Sequence, residues 1–268
     1  MKKIALNNYG EIDIDKIIRI AQDAGNEIMN IYSGDFQVTE KKSESFDSGH
    51  SPLTEADLKS HQIITRSLKE NYPKIPILSE EGKDIGFEER KKWEYFWLID
   101  PLDGTKGFIK RDGSFTVNIA LIQGDSPILG VVYAPASKIF YYGDNLNGSF
   151  KKINGNAAER LPLPKRRDSF IVVASKQHFD KETENFIDNL KKEHPNLELA
   201  SFGSSLKLCV VAEGEADIYP RLGPTMEWDT AAAHAVVRFA GKKVYDYNTK
   251  EDLKYNKENL LNPWFVVE

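Results

Sequence analysis

The sequence predicts a mixed α/β fold, and three features of its patterning carry that prediction. Residues 13–32 repeat apolar side chains at three- and four-residue steps, the spacing of one helix face. Residues 114–142 hold three strand-like runs with short turns between them, which favours an antiparallel meander. From residue 170 onward strand-like and helix-like runs alternate, as in a small α/β layer.

In chain order, Ile14, Ile17, Ile18, Ala21, Ala24, Ile28 and Ile31 form the first helix stripe, with Asp13 as N-cap and Gly34 as stop. Residues 37–51 are polar and read as an exposed loop. Thr54 and Asp57 match a capping-box variant opening a second helix to about Lys69. In that reading Asp57 is simply a cap partner. Ile75 to Leu78 reads as a short edge strand because Pro76 excludes a helix. It ends in Ser79-Glu80-Glu81. The apolar run Tyr95 to Ile99 reads as a strand buried on both faces. The runs Ser114 to Ile122, Ile128 to Tyr133 and Ile139 to Tyr142 follow. Residues 143–165 are rich in Gly, Asn, Lys and Pro, so a boundary is expected near residue 145, between an N-terminal subdomain (1–145) and a C-terminal one (146–268). The second half offers strands at 170–174, 197–201 and 216–219, and helices at 180–193, 204–212 and 229–240.

Composition sets limits on function. The chain has 268 residues, enough for one large domain or two modest ones. A net charge of −5 gives no reason to expect nucleic acid as partner. A small polyanionic substrate would need local cations or a metal. The single cysteine, Cys209, sits in an apolar run and excludes an internal disulfide. No run reaches the length of a membrane span, and no signal-peptide pattern opens the chain, so a cytoplasmic protein is expected.

The chemistry concentrates at Trp97-Leu98-Ile99-Asp100-Pro101-Leu102-Asp103-Gly104-Thr105. Pro101 ends the ladder, and Asp103-Gly104 is a turn dipeptide. Two carboxylates therefore stand on a stiff turn at the edge of a core. One reading is a solvated turn. The other is a site for a hard cation, since charges beside apolar surface need counter-charge or donors. Glu80 ends a second strand, and Asp229 opens the last long helix, where it could equally serve the free amides and the dipole. Oxygen ligands without Cys or His favour magnesium over zinc.

Leu98 to Thr105 and Trp228-Asp229-Thr230-Ala231-Ala232 resemble the two signature motifs of the inositol-monophosphatase superfamily of Mg²⁺-dependent, lithium-sensitive phosphatases. Ser79-Glu80-Glu81 and Thr54-Glu55-Ala56-Asp57 are similar to its accessory metal motifs, and the match runs in order along nearly the whole chain. The segments 105–108, 203–207 and 219–225 resemble the superfamily's 3′(2′),5′-bisphosphate nucleotidases.

The resemblance implies a layered α-β-α-β-α sugar-phosphatase-like sandwich. Its N-terminal sheet would be mixed or antiparallel and its C-terminal α/β layer smaller. It implies Glu80, Asp100, Asp103 and Asp229 as ligands of two or three Mg²⁺ ions, with the carbonyl of Leu102. Asp57 and Thr105, with Glu80, would prepare the attacking water. Gly104, Thr105 and Lys106 would hold the scissile phosphate, in contact with Glu80 and Asp229. His178, Ser204, Lys207 and Arg221 would contact the rest of a nucleotide bisphosphate. Gly107 stands where bacterial relatives often carry glutamate, and Ala233 where glycine is usual. The implied activity removes the 3′-phosphate of adenosine 3′,5′-bisphosphate. An inositol or sugar monophosphatase of the same fold, and a non-catalytic nucleotide sensor, are the alternatives. A monomer or homodimer is expected, and peripheral contact with the inner membrane face stays open.

Overall fold

The computed structural model describes residues 1–42, 50–153, 155–165, 167–174 and 181–268. A hairpin of β1 (Ile4–Leu6) and β2 (Gly10–Ile12) precedes α1 (Ile14–Tyr32). β3 (Val38–Lys42) and β4 (His50–Thr54) pair before α2 (Glu55–Asn71). β5 (Ile77–Ser79), α3 (Phe87–Arg90), β6 (Tyr95–Asp103) and α4 (Thr105–Ile109) follow. Then come β7 (Thr116–Gln123), β8 (Ser126–Ala134), β9 (Ile139–Asp144), β10 (Gly148–Ile153) and β11 (Glu159–Arg160). The last part comprises β12 (Phe170–Val173), α5 (Lys181–Glu193), β13 (Leu197–Ala200), α6 (Leu206–Glu213), β14 (Tyr219–Arg221), α7 (Glu227–Phe239), β15 (Val244–Asp246) and β16 (Phe265–Val267).

The first helix follows its pattern. Ile14, Ile17, Ala21, Ala24 and Ile28 are buried along it, and Asp13 caps its start by accepting from the Asp15 amide at 3.0 Å. The main sheet has seven strands in the order β11-β10-β9-β8-β7-β6-β5. Only the β5–β6 pair is parallel, because the chain crosses over there through α3 instead of turning back in a hairpin.

This sheet is the second of five layers. On one face α1 and α2 bury Ile17, Ile28, Ile64 and Leu68 against Trp97, Ile99 and Val131. On the other, α6 and α7 bury Cys209, Ala231 and Val236 against Phe96, Leu98, Ala120 and Val132. The sheet is therefore apolar on both sides, as the run at residues 95–99 requires. α7 lies close to β8 because a Cβ at Gly130 would fall 2.1 Å from the Ala232 carbonyl oxygen. Beyond α6 and α7 lie β14, β16 and β15, with parallel β12 and β13 joined to the segment before β14 by the Val172–Ile218 bridge. β16 shows the period-2 logic: Phe265 and Val267 join the core under α6 and α7, while Val266 faces the α5 side with Val172 and Ile187. The α-β-α-β-α order is the predicted one.

Three expectations change. The polar segment 37–51 is not simply a loop, since β3 and β4 pair at its two ends; residues 43–49 lie outside the described residues. Residues 143–165 contribute β10 and β11 to the main sheet, so the turn near 145 joins two strands of one sheet. The strand expected at 216–219 starts at Tyr219, with Ile218 making only a bridge. Among the described residues, no helix is long and apolar enough to cross a membrane.

Candidate active site

In a regular strand, residues 100 and 103 would point to opposite faces. The β6–β7 register shifts between Asp100 and Asp103, where Pro101 interrupts the ladder. That irregularity lets both aspartates line one cavity. Parallel β5 ends beside them, and the Glu80 amide continues its pairing by donating to the Ile99 carbonyl at 3.2 Å. Asp229 arrives from the first turn of α7, where its Oδ2 accepts from the Met226 amide at 2.9 Å. Turn, strand end and helix start thus converge on a cavity of about 420 Å³.

Leu102, Gly104, Thr105, Lys106, Ser204, Lys207 and Arg221 line the same cavity. Asp57 sits behind it, buried, and reaches it through Thr105. Its Oδ2 accepts from the Thr54 amide (2.8 Å) and hydroxyl (2.6 Å), and its Oδ1 accepts from the Thr105 hydroxyl at 3.1 Å. The cap role and the cavity role of Asp57 are therefore held by different oxygens of one carboxylate. Ser60 steadies the turn by donating to the Pro101 carbonyl at 2.7 Å. Gly104 has φ +93°, and a Cβ there would lie 2.7 Å from the Ser114 carbonyl oxygen, so the turn needs glycine for both reasons. His178 lies outside the described residues.

The cavity lining holds two sets of charged groups, an acidic wall and a cationic one, and the two act on each other. On the acidic wall, burial raises the Asp100 pKa well above the usual carboxylate range, and the charges of Glu80, Asp103 and Asp229 add to this. Burial also raises Asp229, reinforced by Asp103 and Glu80. Burial lifts Asp103 to about 6, although Lys207 and the Ser205 amide pull it back. Asp100 Oδ2 is buried with no hydrogen-bond donor among the described residues. In the cationic set, burial lowers Lys207 to about 8, against the charges of Asp103 and Asp229, which favour its protonated form. Its Nζ donates to the Ser204 carbonyl at 2.7 Å and stands 5.8 Å from the centre of the Tyr219 ring. Arg221 donates to the Pro224 carbonyl at 2.8 Å, and its buried Nε has no partner among the described residues.

An orphaned buried acceptor beside carboxylates that raise one another's pKa is a wall in need of positive charge. Among the described residues, the cavity lining contains neither Cys nor His, so the donor set suits a hard, oxygen-liganded cation. Among the described residues the acids do not close into a ready cage of three. Main-chain oxygen, water and substrate phosphate would complete the coordination, as is usual for magnesium.

Several lining residues were not singled out from the sequence: Pro52, Asp112, Ser114, Phe202, Ser205 and Tyr219. Tyr219 and Ser205 fall inside the matched segments 219–225 and 203–207, but the resemblance gives them no role of their own. Pro52 arrives from β4, and Asp112 and Phe202 from loops, and their placement is a tertiary fact. Gly107 departs from the bacterial pattern, and here a Cβ would lie 2.7 Å from Ser114 Oγ and 2.8 Å from Asp112 Oδ1. A glutamate would need that loop to move.

This fold and cavity are those of a phosphatase family: residues 13–264 match the inositol monophosphatase family, and the chain belongs to it. Within that family, the chain is 43% identical to the 3′(2′),5′-bisphosphate nucleotidase CysQ of Escherichia coli strain K12, over 95% of this chain and 98% of that protein. It is 40% identical to the protein of the same name from Buchnera aphidicola, over 96% and 92%. The crystal structure of CysQ from Bacteroides thetaiotaomicron superposes with a TM-score of 0.84 at 48% identity, covering 95% of this chain and 96% of that one.

Proposed function

We propose that this protein is a 3′(2′),5′-bisphosphate nucleotidase that hydrolyses the 3′-phosphate of adenosine 3′,5′-bisphosphate to give AMP and phosphate. The observation that carries this reading is the division of the cavity. A carboxylate wall suits metal-assisted attack on one phosphate, and Lys207 and Arg221 line the same cavity as ready partners for a second. The names of the relatives agree with it.

Glu80, Asp100, Asp103, Asp229 and the Leu102 carbonyl would hold two or three Mg²⁺ ions. Bound there, magnesium neutralises the phosphate oxygens and makes a water acidic. The rest falls to the chain's own groups. Thr105 donates its proton to Asp57, which leaves its oxygen lone pairs free to accept from the attacking water. Asp57 thereby fixes the direction of that hydrogen bond. The amides of Gly104 and Thr105, with Lys106, orient the scissile phosphate. Water oxygen bonds to phosphorus and gives up a proton towards the Thr105–Asp57 pair, the bond from phosphorus to the ribose 3′-oxygen breaks, and that oxygen takes up a proton from solvent water. Lys207 and Arg221 hold the other phosphate, with Ser204 and His178 assigned to the remainder of the nucleotide.

The test is phosphate release with Mg²⁺ from adenosine 3′,5′-bisphosphate, inositol 1-phosphate and fructose 1,6-bisphosphate, with and without chelator. The expected outcome is a chelator-sensitive preference for the nucleotide. A preference for a sugar or inositol phosphate would overturn the substrate assignment and retain the metal chemistry. Tight nucleotide binding without turnover would favour the sensor.

A further inference from the structure

Behind the acidic wall lies a second, smaller polar cluster that the proposed reaction does not use. It sits at the junction between the main sheet and α6. The β6–β7 register sets Thr116 opposite Asp103 and Asn118 opposite Asp100. Ser205, the N-cap of α6, meets both from the other layer, and all three side chains are buried. The Ser205 amide donates to Asp103 Oδ2 at 2.6 Å. The Ser205 hydroxyl donates to Asn118 Oδ1 at 2.8 Å. Thr116 Oγ1 lies 2.9 Å from Ser205 Oγ.

The direction of this chain follows from counting protons. A hydroxyl has one hydrogen. Ser205 spends its hydrogen on Asn118, whose Oδ1 can only accept. Thr116 must therefore donate to Ser205. With Oδ1 committed to Ser205, the Asn118 amide nitrogen is turned the other way. That nitrogen is buried and has no hydrogen-bond partner of ordinary geometry among the described residues. An apolar junction would serve packing alone better, since each buried polar group here needs a partner.

We propose that Thr116, Ser205 and Asn118 are positioning residues for the reaction, a one-way donor chain that fixes Ser205 at the start of α6 so that its amide holds the Asp103 carboxylate in its metal-binding orientation. The same helix carries Lys207, so the metal wall and the second-phosphate wall share one joint. Partners of this kind behind a metal ligand typically change metal affinity or activity by 10–100-fold when lost. This inference rests on the metal-dependent reading above.

The test is Mg²⁺ binding itself, read by calorimetry and by the Mg²⁺-induced rise in melting temperature, with turnover as a second readout. Ser205→Ala removes the hydroxyl and keeps the amide. The expected result is a fold retained without metal, a Mg²⁺ affinity about tenfold weaker, and recovery of most of it in Ser205→Thr. Unchanged Mg²⁺ affinity in a folded Ser205→Ala protein would overturn the proposal, as would an equal loss in Ser205→Thr. Should Ser205→Ala fail to fold, Thr116→Val tests the first donor of the chain. It should weaken Mg²⁺ binding severalfold, and an unchanged affinity there would contradict the proposal. Failure of the wild-type protein to bind Mg²⁺ or release phosphate would instead count against the underlying reading.

Discussion

Glu227 and Asp229 lie two positions apart in the first turn of α7, yet their surroundings are opposite. Glu227 is fully buried and fully served: Lys257 Nζ lies 2.5 Å from its Oε1, the Lys257 amide donates at 3.0 Å, and the Asn256 amide donates to Oε2 at 2.6 Å. Arg90 holds the same loop by donating to Asn256 Oδ1 at 2.9 Å and to the carbonyls of Lys257 and Glu258. Burial raises the Glu227 pKa and Lys257 pulls it back. Asp229 instead lies among other acids; after burial their charges push it further up, and the Met226 amide and Arg221 offset this only in part. An acid that serves the fold brings its cation with it. An acid that serves the reaction waits for one.

The contrast predicts opposite outcomes for similar substitutions. Asp103→Asn, on the acidic wall, should lower turnover roughly a thousandfold while the metal-free protein melts no lower than wild type. A lost thermal transition would mean that the acid is structural. Glu227→Ala should do the reverse. It strands the Lys257 ammonium in a partly buried site and should cost about 3 kcal/mol of stability, read by denaturant titration, with far less effect on turnover per folded molecule.

A smaller effect separates the two kinds of acid by pH. Asp100, Asp103 and Asp229 have raised folded pKa values, Asp103 to about 6. The folded state then binds more protons than the unfolded one. Their contribution is fully present below the unfolded carboxylate value of about 4 and is lost as pH rises through the folded values. The metal-free protein should lose melting temperature between pH 5 and pH 8. Added Mg²⁺ should restore more at pH 8 than at pH 5. A flat metal-free profile would show that these carboxylates do not strain the fold.

How much of this was legible beforehand depends on range. The α1 stripe from Ile14 to Ile28 and the buried run at 95–99 announced themselves, because local periodicity reports which face is covered. The acids at strand and helix ends were legible as well, since carboxylates at Asp100, Asp103 and Glu80 interrupt apolar runs. β1, β2, β15 and β16 escaped notice because three residues carry no period and pairing decides them. β10 and β11 were hidden by polar, Gly-rich composition, although β9 offered them an edge. The cationic wall was legible only through resemblance. Nothing local tells Lys207 from any solvated helix lysine; its burial beside Tyr219 is set by the layer above. Ser205 was passed over for the same reason, as its partners lie about ninety residues away in β7.

On the proposed reading, the acidic wall does the chemistry and the cationic wall chooses the substrate. The most direct measurement is kcat/KM of wild type and Lys207→Met on adenosine 3′,5′-bisphosphate and on inositol 1-phosphate, from pH 6.5 to 9. A hydrogen bond from a charged donor contributes about 1.5–3 kcal/mol, so Lys207→Met should lose roughly tenfold to a hundredfold on the bisphosphate, mainly in KM, and little on the monophosphate. In the wild type, KM for the bisphosphate should rise as pH passes about 8, where Lys207 loses its proton, and the variant should lack that rise. An equal loss on both substrates would contradict the division of labour between the two walls.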